Sequence, residues 1–489
     1  MIPLTLAELA RATAGRLHDS DGVPVPPGSE VFDLVIDGPV VTDSRECGPG
    51  GLYVARIGEH ADGHDFVDSA RAAGAVAALT SRPVSGLAHL VVDDVQTAFG
   101  ALARAVLDAA PTVTVVGITG SSGKTSTKDL LAQVLATSGP TVAPAGSFNG
   151  EIGVPLTVCR ITRDTRYLVV ELGARGVGHI EYLTRIAPPR IGVVLNVGTA
   201  HVGEFGGREN IARAKGELVE ALPEDGVAVL NADDPLVTAM GSRTRARVVL
   251  VGLAPGARTR AEDVTLDPTS RPSFRLVTPE GSAPVALRVH GAHQIGNALA
   301  VAAAALACGL PLAQVADALS SAGAVSRWRM EVTERSDGVT VVNDAYNANP
   351  DSMAAALAAL AVMATDAQGR RRRTWAVLGE MLELGDESRQ AHAGTGARAV
   401  AEGIDVLVAV GPGAAGIAEG AREAVARAAG TDGSPTEVLT VTDADAAYLL
   451  LSEKLRPGDV VLFKSSRDAG LRWLGDRISA TVRGSEVGS

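Results

Sequence analysis

At 489 residues the chain is too long for one hydrophobic core, and about three domains are expected. Hydrophobic residues make up 46 % and aromatics only 3 %, so the cores must be built from alanine, valine and leucine. The net charge of −12 excludes non-specific nucleic-acid binding, and the one basic run, from Arg370 to Arg373, precedes an apolar strand and reads as a solvated loop.

Cys47, Cys159 and Cys308 are odd in number and far apart, which suits a reduced compartment and no disulfide framework. The first residues lack a basic stretch followed by an apolar core, so no signal peptide is expected. The longest small-apolar run, from Ala298 to Leu310, is too short to span a bilayer and reads as a buried helix. A soluble, cytoplasmic protein is expected, with no transmembrane segment.

The first segment, residues 1–110, opens with Leu4, Leu6, Leu9 and Ala10 on one helical face and Thr5 as N-cap. Short strands and a helix then suggest a small α/β module. Ser44 and Arg45 follow a strand there and could hold a ligand's phosphate or carbonyl, while Asp43 and Arg45 could equally pair on the surface.

The second segment, residues 111–325, carries Thr119-Gly120-Ser121-Ser122-Gly123-Lys124-Thr125 between an apolar run (Val113, Val115, Val116, Ile118) and a helical pattern (Leu130, Leu131, Val134, Leu135). The order is strand, glycine loop, helix. Helix N-termini offer unpaired N–H groups and partial positive charge to phosphate. Lys124 can reach the β/γ-phosphates and the Thr125 hydroxyl can ligate Mg²⁺, although Ile118 stands where the usual phosphate loop has its first glycine. Helices and strands alternate onward, which predicts a doubly wound parallel sheet. Ligands of such sheets sit beyond the carboxyl ends of the strands. Glu171 and Asn196 end two predicted strands and so share an edge with the loop; His201 follows in a glycine-rich stretch, and Lys215 falls in a helix predicted over residues 210–222. Prolines and β-like alternation over residues 261–289 suggest an antiparallel appendage.

The third segment, residues 326–489, alternates strands and helices as a Rossmann-like α/β unit, with a plain loop over residues 431–435. It lacks G-x-G-x-x-G after its first strand and is not read as an independent dinucleotide binder. Phosphoryl transfer needs neutralised phosphate charge and an aligned acceptor. Lys124, Mg²⁺ on Thr125, and a second metal on Glu171 and His201 would supply these. Lys215 reads either as a helix-surface charge paired with Glu217 or as a carbamate, an oxygen ligand suited to Mg²⁺.

Across its whole length the chain resembles the Mur ligases. The shared features are the phosphate loop, Glu171, Asn196 with His201, Lys215, and Gly291-Ala292-His293-Gln294-Ile295-Gly296-Asn297. Two longer runs resemble the member that joins UDP-N-acetylmuramoyl-tripeptide to D-alanyl-D-alanine. They are Asn343-Asp344-Ala345-Tyr346-Asn347-Ala348-Asn349-Pro350-Asp351-Ser352-Met353 and Leu378-Gly379-Glu380-Met381-Leu382-Glu383-Leu384-Gly385 with His392. An Asp-Asn-Pro-Arg motif, usual in the single-diamino-acid ligase, is absent. Two alternatives stand beside this reading: another amino-acid ligase of the same fold, and a regulatory protein that hydrolyses ATP without ligation.

The resemblance implies an ATP-dependent, monomeric ligase of peptidoglycan synthesis using ATP and two Mg²⁺, working through an acyl phosphate. Residues 1–110 would hold the UDP end of the substrate, with Ser44, Arg45 and Asn149 contributing. Residues 111–325 would bind ATP through Thr119, Gly120, Ser121, Ser122, Gly123, Lys124, Thr125 and Ser126, and residues 326–489 would bring D-Ala-D-Ala and close over the nucleotide. Asn297, Arg329, Asp344 and Asn347 would meet ATP from the far side. Thr125, Glu171, His201 and a carbamylated Lys215 would hold metal, and Lys124, Lys215 and His201 would be catalytic. His201 and His392 are candidates for the base that frees the incoming amine. The chain departs from the usual pattern at Gly150, at Trp328 (often glycine), at Ser465, and at Leu471 and Arg472 in place of a Met-Glu pair.

Overall fold

The computed structural model describes residues 1–26, 28–198, 202–428 and 436–480. Thr5 starts the first helix, Leu6–Thr13, through a reciprocal capping box: its hydroxyl accepts the Glu8 N–H at 3.2 Å and its own N–H donates to the Glu8 carboxylate at 2.8 Å. Leu6 and Leu9 on this helix are fully buried. The five-stranded sheet behind it runs Arg16–His18, Ala88–Val91, Ala75–Thr80, Gly51–Val54, Val40–Val41; all neighbours are parallel except the first pair.

Helix Val95–Asp108 joins this unit to the next. At Gly100 a Cβ would lie 3.0 Å from the Tyr182 hydroxyl and 3.1 Å from Ile186, so glycine eases the close approach of this helix to helix His179–Ile186. Leu102, Val106, Val158, Ile180 and Leu183 consequently share one apolar cluster. The first two units are therefore packed through a common core.

The second unit is built on a nine-stranded sheet. Its parallel part runs Thr141–Val142, Tyr167–Glu171, Thr114–Thr119, Ile191–Val194, Val227–Asn231, Arg247–Gly252. Both faces are covered, which is why these strands are nearly continuous in valine, isoleucine and leucine. The appendage expected over residues 261–289 is present as strands Thr259–Leu266, Pro272–Thr278 and Gly281–Ala286, antiparallel to one another, with Thr259–Leu266 pairing parallel with Arg247–Gly252 at the sheet's far edge. The alanine-rich run forms the buried helix Gln294–Ala307 against the loop helix Lys124–Ala136. The strand order turns back at Thr114–Thr119, which has a later strand on either side, so the glycine loop leaves the sheet at its topological switch point.

The third unit is a six-stranded sheet in the order Glu331–Glu334, Thr340–Asn343, Val460–Lys464, Thr374–Leu378, Val406–Val410, Glu437–Val441, parallel except for its first pair. The basic run pairs with acidic neighbours: Arg370 with Asp366, Arg371 with Asp405, Arg373 with Glu437. The loop expected over residues 431–435 lies outside the described residues. The whole is an α/β protein of three units, and no described helix is long and apolar enough to cross a membrane.

Candidate active site

A cleft of about 1500 Å³ opens where the three units meet, and the glycine loop forms its floor. Gly123 has φ 80°, a left-handed conformation natural to glycine, and a Cβ there would lie 2.6 Å from Asn297 Oδ1. Helix Lys124–Ala136 begins at the next residue, so its free N–H groups face the cleft. Asn196 pins the loop: its Oδ1 accepts the N–H groups of Ser121 (2.9 Å) and Ser122 (3.0 Å), and its Nδ2 donates to Ser122 O at 3.3 Å. The hydroxyl of Ser121 in turn accepts the N–H of Gly198 at 3.0 Å.

Glu171 ends the neighbouring strand and faces the loop helix. It accepts the Thr125 hydroxyl at 3.0 Å and Asn149 Nδ2 at 2.8 Å. Lys124 is half-buried, with Nζ donating to Gly120 O at 2.7 Å; burial, partly opposed by Glu171, lowers its pKa. Lys215 lines the same wall and is 5 % exposed. Burial first, and the Lys124 ammonium second, hold its amine well below the ordinary lysine range. Glu217 is not its partner, because that carboxylate accepts the N–H groups of Gly178 (2.6 Å) and Glu181 (2.9 Å).

The third unit supplies the opposite wall. Arg329 Nη2 donates to Thr125 Oγ1 at 3.3 Å, and its guanidinium lies 4.2 Å from the centre of the Tyr346 ring. The Tyr346 hydroxyl also meets that of Ser147. Asp344 accepts Lys464 Nζ at 2.6 Å and Met330 N–H at 3.0 Å. Lys464 is 2 % exposed, and burial lowers its pKa despite the pull of Asp344. Asn297, buried on the middle unit, donates to Gln294 Oε1 at 2.9 Å.

Thus Lys124, Thr125, Ser126, Asn149, Glu171, Lys215, Asn297, Arg329, Asp344 and Asn347 line one space, together with Gly120, Ser121, Ser122 and Gly123. Thr119 lies beneath the loop, its hydroxyl donating to Leu172 O at 2.9 Å. Ser44 and Arg45 are not on the cleft wall: Ser44 is buried and Arg45 is an exposed partner of Asp43, while Thr42, two residues earlier, does line it. His201 lies outside the described residues. His392 is corrected as a candidate base. It is buried away from the cleft, with Nε2 accepting the Met381 N–H at 2.9 Å and Nδ1 bonded to Ser388 O at 2.7 Å, so both ring nitrogens serve to order the Met381 turn. Tyr346, Ser147 and Lys464 were missed as site residues. Tyr346 sits inside the long Asn343–Met353 motif and Lys464 heads the Lys464-Ser465-Ser466-Arg467 run, which were the available signals; nothing local marks Ser147.

The donor set fits a hard cation. Mg²⁺ is usually held by one or two carboxylates or hydroxyls together with substrate phosphates, and Thr125 and Glu171 offer oxygens on the loop side. Among the described residues no group of three His, Cys, Asp or Glu side chains forms a self-sufficient metal cage.

A glycine loop that leaves a parallel sheet at its switch point and faces a second α/β unit across a cleft is the arrangement of the α/β proteins that take ligands at the carboxyl ends of their strands. Three family models match in sequence order: "Mur ligase family, catalytic domain" over residues 39–106, "Mur ligase middle domain" over 118–305, and "Mur ligase, glutamate ligase domain" over 328–467. The chain is 48 % identical to the UDP-N-acetylmuramoyl-tripeptide–D-alanyl-D-alanine ligase of Mycobacterium tuberculosis, over 98 % of each chain. It is similar to the crystal structure of MurF from Acinetobacter baumannii (TM-score 0.84, 31 % identity, 98 % of this chain and 99 % of that one). It is also similar to the MurF ligase of Thermotoga maritima in complex with ADP (TM-score 0.77, 29 % identity, 91 % and 97 % covered). The chain belongs to the Mur ligase family.

Proposed function

We propose that this chain is the ATP-dependent ligase that adds D-alanyl-D-alanine to UDP-N-acetylmuramoyl-tripeptide, giving the pentapeptide precursor of peptidoglycan. The observation that carries the chemistry is the convergence of Lys124, Thr125 and Glu171 with Arg329 from the opposite unit on one cleft. The substrates follow from the 48 % likeness to ligases of that name and from the two long motifs. In this reading residues 1–110 hold the UDP end, residues 111–325 hold ATP, and residues 326–489 bring D-Ala-D-Ala.

A carboxylate resists nucleophilic attack because resonance and charge protect it. The ATP γ-phosphoryl passes to the tripeptide's terminal carboxylate, forming an acyl phosphate and releasing ADP. The neutral amine of D-Ala-D-Ala then attacks the acyl carbon, the tetrahedral adduct expels phosphate, and the amine proton is lost to a base. The loop N–H groups and Lys124 bind the phosphates, Arg329 adds positive charge from the facing unit, and both favour the charge that develops in transfer. Thr125 and Glu171 would hold Mg²⁺, which would supply Lewis-acid neutralisation of the phosphates. The contacts of Arg329 with Thr125 and of Tyr346 with Ser147 bring the two walls together and keep water from the acyl phosphate.

Lys215 takes part as a carbamate. Burial and the Lys124 ammonium shift its amine toward the neutral form, the form that attacks CO₂ and loses a proton. The product would be an anionic carbamate, which would give the Lys124 ammonium a counter-charge and would offer a ligand for a second Mg²⁺.

Phosphate release measured over a substrate panel tests the reading. Turnover should require ATP, UDP-MurNAc-tripeptide and D-Ala-D-Ala together. Release without the dipeptide, or with a single diamino acid in its place, would move the protein to one of the other readings.

A further inference from the structure

Arg329 stands between two residues that both have left-handed backbone: Trp328 at φ 59° and Met330 at φ 51°. Side chains other than glycine seldom adopt this conformation, and it persists where surrounding contacts over-determine it. On the Met330 side the contact is the backbone N–H on Asp344 Oδ1 at 3.0 Å. The Trp328 side is held more extensively. Its N–H donates to Glu331 Oε2 at 2.9 Å, and its carbonyl accepts the Tyr346 N–H at 3.2 Å. The indole Nε1–H is shared between both Asp476 oxygens, at 3.1 and 3.2 Å. The ring meets Trp473 edge-on at 5.0 Å and carries the guanidiniums of Arg327 (4.9 Å) and Arg472 (5.5 Å). Asp476 also accepts Arg327 at 2.9 Å and Asn343 at 3.2 Å.

Two residues upstream, the Ser326 N–H donates to Asp129 Oδ2, on the helix that follows the phosphate loop, at 3.0 Å. The chain therefore leaves the middle unit at Ser326 and is bound to the third unit's helix Leu471–Ala480 by Trp328. The next side chain is the one that reaches back across the cleft to Thr125. Arg329 Nε is buried without a hydrogen-bond partner among the described residues, so this arm carries a donor still open to an anion.

We propose that Trp328 is a positioning residue for the nucleotide step: its indole, clamped by Asp476 and Trp473, holds the inter-unit segment in the left-handed turn that delivers Arg329 to the phosphate loop. This rests on the reading of the cleft as the ATP site. A tryptophan that merely fills space at a unit boundary would affect stability and leave the response to ATP unchanged. A brace acting through Arg329 changes that response, and only while Arg329 is present.

The test is ATP-dependent phosphate release by the full-length chain in wild type, Trp328→Gly, Trp328→Phe, Arg329→Ala and the Trp328→Gly/Arg329→Ala double variant. Glycine accepts φ 59° without strain, so Trp328→Gly removes the clamp while easing the backbone, and it should fold. Losing one charged hydrogen-bonding arm at the phosphates corresponds to a KM for ATP raised about tenfold or more, expected in both Trp328→Gly and Arg329→Ala. Trp328→Phe keeps the ring packing, loses only the bond to Asp476, and should recover most of the loss. The double variant should be no worse than Arg329→Ala, because the two residues act as one unit. Wild-type KM in Trp328→Gly, or a full second increment in the double variant, overturns the brace alone. Wild-type KM in Arg329→Ala overturns the brace together with the cleft reading on which it rests.

Discussion

Asn196→Ala isolates the loop from the sheet. Asn196 Oδ1 accepts two loop N–H groups at 2.9 and 3.0 Å, and truncation leaves both without that acceptor. Each such bond contributes about 0.5–1.5 kcal/mol, so the ordered loop should lose about 1–3 kcal/mol relative to its disordered forms. If ATP must reorder the loop on binding, its KM rises by a factor of about 5 to 150. The Asp variant sharpens the expectation. Asn196→Asp keeps the acceptor for the two loop N–H groups, turns the Nδ2 bond to the Ser122 carbonyl at 3.3 Å into a repulsive oxygen–oxygen contact, and adds negative charge at the loop. It should weaken ATP binding at least as much as alanine does. Both are read by phosphate release against ATP concentration at saturating tripeptide and dipeptide, with circular dichroism to show retained fold. An alanine variant whose ATP KM stays within about twofold of wild type would refute the view that Asn196 orders the loop.

Three further outcomes follow from the same geometry. Gly123→Ala forces a left-handed alanine costing about 1–2 kcal/mol and drives a methyl against Asn297 Oδ1, so ATP KM should rise sharply; an unchanged KM counts against the cradle. Lys215→Ala should be inactive and partly restored by short carboxylates such as acetate, and absence of rescue counts against the carbamate. In CO₂-depleted buffer the lowered pKa of Lys215 has a fixed sign: folding releases its proton, so the penalty it places on the fold shrinks as pH rises from the lowered pKa toward about 10.4. Lys215→Met should flatten the rise in denaturation midpoint over that window. Asp344→Asn leaves Lys464 buried without its counter-charge and should destabilise the third unit by about 3–5 kcal/mol, seen as earlier protease cleavage there; wild-type resistance would show that the pair is dispensable.

What the chain determined locally was the set of elements whose residues carry their own instructions. Valine and isoleucine runs between helical patterns specify a covered parallel sheet, Thr5 and Glu8 cap their helix from within four residues, and a glycine loop before Lys124 and Thr125 turns directly into a helix N-terminus. The tertiary structure decided which distant side chains share the cleft. Lys464 meets Asp344 across 120 positions, Tyr346 meets Ser147 across 199, and Arg329 reaches Thr125 across 204. It also decided that Lys215 is buried rather than paired on a helix surface, and that His392 orders a turn instead of facing substrate. The physical reason is range: capping and periodicity act over one or two turns of chain, whereas burial, and the pKa shift it brings, depend on how separate sheets pack against one another.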